Sequence, residues 1–440
     1  MNILIITTYY PPDTAIAAVR PYMLAKYLTL RGHQVTVLRS GEFYNSASDF
    51  FDMSIPVRVI SYLGPDSPAE RYARGEQKDF PVIENGSRIG FLPEVIRKPV
   101  SALYNACMSP VRFWQEQQDI ADKEQKMKAA LDAMADEHFD VVFSTVGQQE
   151  NVAGGQYAAK LFGCKLVQDF RDAIATQATY GGYQLRYLKR IQKNAIAHAD
   201  GITAVSEGLR QELMCDAKKP CKNMTLYNGF EPIANTEADD CHEEGVLSFC
   251  YTGILCGALR DFTPLIRALR RLTDENKIDP TKIKLHYAGS DFDLLQDIAQ
   301  KMGLESILVN HGYVGRAEAS RIQRMSDIFL VLSWNQKTSQ GILTGKFYEG
   351  IRAKKPILSI ISGDLPNSEL YILNEKYRYG FCYESSRDTA LFDGLCDFIA
   401  KAYDEKMRGG KLQHEINPQL EAQFRYDVLA EQLERFVEQL

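Results

Sequence analysis

A strand, a helix and a second strand fit into about the first forty residues, and the same alternation starts afresh after residue 246. Residues 2–8 (Asn-Ile-Leu-Ile-Ile-Thr-Thr) form a short apolar run. Residues 17–31 carry Val19, Met23, Leu24, Tyr27 and Leu28 at near-helical spacing, Gly32 is placed to end that helix, and 34–38 alternates as a strand. A strand–helix–strand unit with a right-handed crossover makes a parallel sheet. Strand-like runs recur at 141–145, 165–169 and 201–205, which predicts one Rossmann-like domain over residues 1–225. After Tyr227-Asn228-Gly229-Phe230 and the acidic stretch 237–244 a second series follows. Its strands are 247–252, 283–288, 307–309, 328–332 and 356–359, with helices starting near 262, 293 and 344. A second Rossmann-like domain is therefore expected over 226–422, and 440 residues suit two cores better than one. Ligands in such sheets sit at the carboxyl ends of the strands.

Two segments interrupt the alternation. Residues 42–81 are rich in turn formers and read as an irregular excursion. Residues 88–114 carry Arg88, Arg97, Lys98 and Arg112 against one acid, Glu94, with Phe91, Leu92, Ile96, Tyr104, Phe113 and Trp114 among them. That mix fits a lid packed on the first domain or an amphipathic surface resting on anionic lipid.

Composition removes several classes of function. The chain has 51 basic and 57 acidic residues, net charge −6, and no basic stripe dominates, so nucleic acid is not an expected partner. The opening apolar run is too short for the core of a secretion signal, and no run reaches the ~18 apolar residues of a membrane span. Nine cysteines without a C-x-x-C pair point to reduced thiols and a cytoplasmic protein. Cys215, Cys221, Cys241 and His242 are spaced too loosely for a zinc set. Between Thr8 and Arg20 there is no glycine, which argues against a dinucleotide cofactor in the first domain. Neither a phosphate-binding Walker loop nor a nucleophile elbow occurs.

The second half carries the chemistry. Gly253 ends a strand and Arg260 follows seven residues later, a glycine turn and a guanidinium able to meet one anion. The plainer reading pairs Arg260 with Asp261 or another acid. The segment Gln340-Gly-Ile-Leu-Thr-Gly-Lys-Phe-Tyr-Glu-Gly350 opens a helix, whose first amides attract anions. Lys346 and Glu349, three apart, share a face, one suited to phosphate and the other to a ribose diol. Here the plainer reading is an exposed Lys–Glu pair. Asp291-Phe-Asp293 opens another helix and reads as a cap rather than a metal site.

The whole chain resembles the retaining glycosyltransferases of the GT-B fold, in the group called family 4. The resemblance rests on the opening strand with Tyr10-Pro11-Pro12, Arg31-Gly32-His33 before a Val-Thr-Val strand, and Ala204-Val205-Ser206. It continues through Tyr227-Asn228-Gly229, Asn310-His-Gly-Tyr-Val-Gly315 and Lys346-Phe-Tyr-Glu349 before Lys355-Pro356-Ile357. It implies an α/β architecture of two Rossmann-like domains with parallel sheets facing across a cleft. The first domain would take the acceptor and the second a nucleotide sugar, with a helix at 423–440 crossing back to the first.

Residue by residue, the resemblance places Glu349 on the donor ribose, and Arg260 and Lys346 on the diphosphate. It places Tyr313 and Val314 against the base, and the backbone of Gly341, Ile342, Leu343 and Thr344 against the hexose. Gly253 would line the donor phosphates. The family's first glutamate is replaced by Gly341, so the sugar-facing carboxylate is missing. In the first domain, Gln168-Asp-Phe-Arg-Asp172 ends a strand. Asp172 is the candidate to take the acceptor's proton, with Arg20, Asp169 and Arg171 as acceptor contacts; an internal salt bridge is the alternative for Arg171 and Asp172.

The expected reaction moves a hexose from a UDP- or GDP-linked donor to a hydroxyl of a carbohydrate or lipid-linked acceptor. Configuration is kept and neither metal nor cofactor is required. Surface polysaccharide or glycolipid synthesis at the inner face of the cytoplasmic membrane would be its setting. A nucleotide-sugar epimerase of the same fold and a catalytically silent sugar-nucleotide binder are the competing readings. A periplasmic-type binding protein fits less well, since no export signal is read.

Overall fold

The computed structural model describes residues 1–13, 15–41, 51, 54–63, 94–177, 182–217, 220–231, 243–256, 259–337, 339–410 and 412–440, of which 94–108 by backbone only. It divides into two compact units. The first comprises Met1–Val205, Leu209–Tyr227 and Leu429–Leu440, and the second Ser206–Gly208 and Asn228–Val428.

The first unit is built on a parallel sheet of β1 (Asn2–Thr7), β2 (Gln34–Arg39), β3 (Arg58–Ser61), β4 (Val141–Val146), β5 (Lys165–Phe170), β6 (Gly201–Ala204) and β7 (Lys222–Thr225), in the order β3-β2-β1-β4-β5-β6-β7. Its helices are α1 (Ile16–Leu30), α2 (Glu94–Asp132), α3 (Gln149–Phe162), α4 (Gly182–Ala197) and α5 (Glu207–Asp216), the first turn of α5 belonging to the second unit. The central strands β1 and β4 are apolar and buried along almost their whole length, as strands covered by helices on both faces must be. The excursion expected over 42–81 supplies an edge strand, β3, whose Arg58 forms a fork with Glu137 at 2.6 and 2.9 Å. Part of that stretch, and residues 88–93 of the second interrupted segment, lie outside the described residues. From Glu94 onward that segment is continuous helix.

The second unit repeats the plan. Its strands β8 (Leu247–Thr252), β9 (Ile283–Ala288), β10 (Leu308–Gly312), β11 (Ile328–Trp334), β12 (Ile357–Ser362) and β13 (Gly380–Glu384) run parallel in the order β10-β9-β8-β11-β12-β13. The helices are α6 (Thr263–Asp274), α7 (Phe292–Lys301), α8 (Arg316–Met325), α9 (Gly345–Arg352), α10 (Glu369–Tyr377), α11 (Asp388–Gly409) and α12 (Pro418–Gln423). Phe249, Leu265, Leu269, Leu285, Leu330, Leu358 and Ile399 belong to one continuous core. Through that core runs a buried ion pair: Lys406 Nζ donates to Asp327 Oδ1 at 2.7 Å, and Ser248 fills the other carboxylate oxygen. The final helix, α13 (Tyr426–Glu438), ends on the first unit, where Arg31 and His33 meet Glu434 and Phe436 fills the space over Gly201.

Both sheets reverse direction of winding once, between β1 and β4 in the first unit and between β8 and β11 in the second. Parallel sheets bind ligands at that reversal, outside the carboxyl ends of the strands.

Candidate functional site

In the second unit the reversal lies between Thr252-Gly253, which leave β8, and the 335–344 loop, which leaves β11 and feeds α9. Helix α9 can lie directly on the sheet because Gly350 faces it. A Cβ there would stand 2.9 Å from Ile357 Cδ1 and 3.1 Å from Phe329 Cδ1. With its inner face so close, Phe347, Tyr348 and Ile351 are buried and Lys346 and Glu349 are left half-buried at the strand ends.

Lys346 Nζ donates to both carboxylate oxygens of Glu349 at 2.8 Å. Gln323, from α8, donates to Glu349 Oε2 at 2.7 Å and to Thr252 Oγ1 at 2.7 Å. The carboxylate is thus held from a second helix by Gln323, itself braced on Thr252 of β8, which a pair on a solvent face would not need. Gly253 lies beside this pair: a Cβ on it would meet Lys346 Cε at 3.4 Å. Its own N–H is spent on Ala288 O at 2.8 Å, so Gly253 offers a ligand room rather than an amide.

Arg260 donates from NH1 to Ile254 O at 2.7 Å and lies over the Trp334 ring at 5.7 Å. Its Nε is buried without a hydrogen-bond partner. Asp261 accepts from Thr263 N at 2.8 Å, and among the described residues Arg260 forms no ion pair with it or with another acid. Thr344 occupies the N-cap position of α9, yet its hydroxyl makes no cap bond and is buried unpartnered. A helix start lacking a side-chain cap keeps its first amides available to an anion.

Around this centre Tyr313 projects from the loop after β10, 89% exposed, with Val314 half-buried beside it. Ser333 Oγ holds Ile342 O at 3.0 Å, Leu343 is half-buried, and Gly341 has φ +68°. That φ disfavours any side chain, so glycine here answers a backbone need. Arg316, the first residue of α8, was not singled out by sequence. Surrounding protein lowers its pKa and the Glu349 charge raises it, which places a third cation by the pair. Thr252 and Gln323 were missed too, because a polar side chain that orients a carboxylate carries no spacing signal. Asp291 stands at the N-cap position of α7 but accepts from Leu255 N at 2.6 Å rather than capping its own helix. The expected cap is therefore a tie across the β8 loop.

The first unit uses its charges differently. Arg20 donates to Asp169 through Nε at 2.9 Å and NH2 at 2.7 Å, and to the carbonyls of Leu226 (2.9 Å) and Tyr227 (2.7 Å). Thr203 Oγ1 adds a bond to Asp169 at 2.6 Å, and both charged residues are buried. The acceptor contacts expected of Arg20 and Asp169 give way to an internal strut joining α1, β5, β6 and the 226–227 turn. Arg171 donates to Ala17 O at 3.0 Å. Asp172 reaches the surface beyond β5, where surrounding protein raises its carboxyl pKa and Arg171 opposes the shift. Among the described residues no three His, Cys, Asp or Glu side chains gather as a metal site, and no helix is long and apolar enough to cross a membrane.

No family model matches the sequence, and no curated protein does. Solved structures do. The apo form of the lipopolysaccharide outer core galactosyltransferase WaaB is 12% identical with a TM-score of 0.57, over 100% of this chain and 99% of that one. Sucrose-phosphate synthase from Thermosynechococcus elongatus is 11% identical with a TM-score of 0.58, over 100% and 99%. Anabaena HepE, solved in complex with UDP and glucose, is 12% identical with a TM-score of 0.57, over 100% of both chains. The two parallel-sheet units with their shared strand order, read with these likenesses, are the GT-B fold.

Proposed function

We propose that the chain is a retaining glycosyltransferase of family 4 that moves a hexose from a nucleotide diphosphate sugar to an acceptor hydroxyl. The observation that carries this reading is the Lys346–Glu349 pair, held half-buried by Gln323 at the sheet's reversal. Glu349 would accept the two ribose hydroxyls while Lys346 turns to the diphosphate. Arg260, with its unpartnered Nε, and the amides opening α9 would stabilise the charge that grows on the departing diphosphate. Tyr313 would stack on the base, with Val314 against its edge. The backbone of Gly341 to Thr344 would face the sugar, and Asp172 with Arg171 would meet the acceptor. HepE, of the same fold, is described with UDP and glucose, which supports a UDP-linked donor. Cations account for the leaving-group charge, so transfer should persist after chelation of divalent ions.

The test is a donor titration with transfer measured alongside. Lys346→Ala and Arg260→Ala should each lower turnover by about 10²-fold; unchanged affinity and turnover in both would overturn the proposal. Gly341 favours a second reading, donor binding without transfer. It predicts that UDP-sugar binds while neither transfer nor slow donor hydrolysis occurs. An epimerase would instead convert donor with no acceptor present. A lipid-linked acceptor, surface polysaccharide or glycolipid synthesis, and contact of the 88–114 segment with the inner face of the cytoplasmic membrane complete the proposal.

A further inference from the structure

Gln323 ties Glu349 to the core through a side chain that carries no charge. It stands in α8 two turns after Arg316, so the two share a helix face, and both interact with Glu349. Gln323 is 8% exposed and Thr252 4%. The two hydrogens on Nε2 have two acceptors, Thr252 Oγ1 and Glu349 Oε2, each at 2.7 Å. Turned the other way, the amide would set its oxygen against a carboxylate. The Thr252 hydroxyl at the end of β8 and the charge of Glu349 therefore fix its orientation.

A carboxylate offers about four lone-pair sites. Three side-chain hydrogen bonds reach Glu349 among the described residues: Lys346 Nζ gives one to each oxygen at 2.8 Å, and Gln323 gives the third. The Lys346 contacts belong to a half-exposed ion pair, whose members can separate at small cost. The Gln323 contact is buried, and breaking it would leave an amide hydrogen unpaired, at larger cost. An anion that draws Lys346 away thus frees one acceptor position on each oxygen and leaves the third bond in place. Two donors beside a diphosphate match the cis hydroxyls of a ribose, whereas a 2′-deoxyribose brings one and leaves an oxygen unmatched. A cation at position 323 would hold the carboxylate in a second ion pair. A neutral amide orients it without adding to the charge of Lys346, Arg260 and Arg316.

We propose that Gln323 is the positioning residue of this site. Braced on Thr252, it keeps the Glu349 carboxylate aimed at a ribose diol once Lys346 has turned to phosphate, and so selects ribonucleotides over 2′-deoxyribonucleotides. The proposal rests on the nucleotide-sugar reading of the second unit and adds the residue and the hydroxyl that set its selectivity. Gln323 acts through Glu349 and meets no ligand itself.

Calorimetric titration of the full chain with UDP and 2′-deoxy-UDP, and with GDP and 2′-deoxy-GDP, tests it. In the native chain the ribonucleotide should bind about tenfold more tightly than its deoxy form, the size expected of one hydrogen bond to a charged group. Gln323→Met keeps the length of the side chain and removes the amide. The preference should then fall to about twofold or less, mostly through weaker ribonucleotide binding. A merely structural loss would weaken both forms alike and leave the ratio at its native value. Thr252→Val removes the brace but not its volume and should lower the ratio in the same direction, and Thr252→Ser should restore it. That second pair decides the matter if Gln323→Met does not fold. Lys346→Ala should lose affinity for both forms and keep the preference, because Gln323 still holds Glu349. A native chain that binds both forms alike, or a preference unchanged in Gln323→Met or in Thr252→Val, overturns the inference while the nucleotide site stands. Binding of neither UDP nor GDP to the native chain overturns the nucleotide-sugar reading, and the inference with it.

Discussion

The two units share a strand order but spend the charges near their sheet reversals in opposite ways. In the first unit Arg20 and Asp169 are buried, bidentate and further bonded to two carbonyls and a threonine. In the second, Lys346 and Glu349 face each other half-exposed, and Arg260 keeps a buried Nε unpartnered. The same ion-pair chemistry is a strut in one place and an open contact in the other. Burial decides which: a buried charge is held only by a full set of partners, while a half-exposed pair can exchange its partner for a ligand at small cost.

The largest effect should separate these roles. Asp169→Ala leaves the Arg20 guanidinium buried without its carboxylate and should cost about 3–5 kcal/mol of stability, read from the denaturant midpoint. Glu349→Ala should cost no more than about 1 kcal/mol while weakening nucleotide-sugar binding. If Asp169→Ala melts with the native chain, the strut is misread and Asp169 returns as a ligand contact.

Acid should strain the second unit through His286 and His311, hydrogen-bonded to each other at 3.0 Å at the root of the Tyr313 loop. Burial, with the neighbouring His311, lowers the His286 pKa from 6.5 to about 4. Between those values the unfolded chain holds a proton that the folded chain refuses. Stability is therefore complete above about pH 6.5 and declines as pH falls towards 4, by up to ~3 kcal/mol. His286→Phe, or another uncharged replacement, should flatten that decline in urea midpoints measured across pH 4–7.

Much of this was legible in the sequence, for physical reasons that also mark the limits. Strands buried on both faces must be almost wholly apolar, so β1, β8 and β11 stand out as runs. The Lys346-x-x-Glu349 segment is read by helical spacing alone. Edge strands such as β3 and β7 are partly exposed and carry Arg58, Lys222 and Asn223, so no apolar run marks them. Partners far apart in the chain leave no local trace: Arg20 and Asp169 are 149 residues apart, and Gln323 reaches Glu349 from another helix. Sequence found Arg20, Asp169, Arg260, Lys346 and Glu349, and only folding showed which of them were already satisfied.

Arg316 sharpens the contrast from the open side. If it belongs to the donor site, Arg316→Ala should weaken nucleotide diphosphate binding roughly tenfold, as expected for one charged hydrogen bond. The loss should be smaller than that of Lys346→Ala, since Arg316 stands at the rim. No change by calorimetry would confine the cationic site to Arg260 and Lys346.

Gly341 provides the smallest and most discriminating effect. At φ +68° an L-residue is strained by roughly 1–2 kcal/mol, so Gly341→Ala should lower the melting temperature by a few degrees, about 2–4 °C per kcal/mol for a unit of this size. Gly341→Glu imposes the same strain while supplying the carboxylate found at this position in the pattern of the proposed family. Compared with each other, the two variants cancel the backbone term and isolate the side chain. Faster transfer in Gly341→Glu than in Gly341→Ala, at equal melting temperature, would show that the open site lacks a sugar contact. Equal rates would mean that the loop backbone already holds the sugar, and an unshifted melt in both would remove backbone strain as the reason glycine stands there.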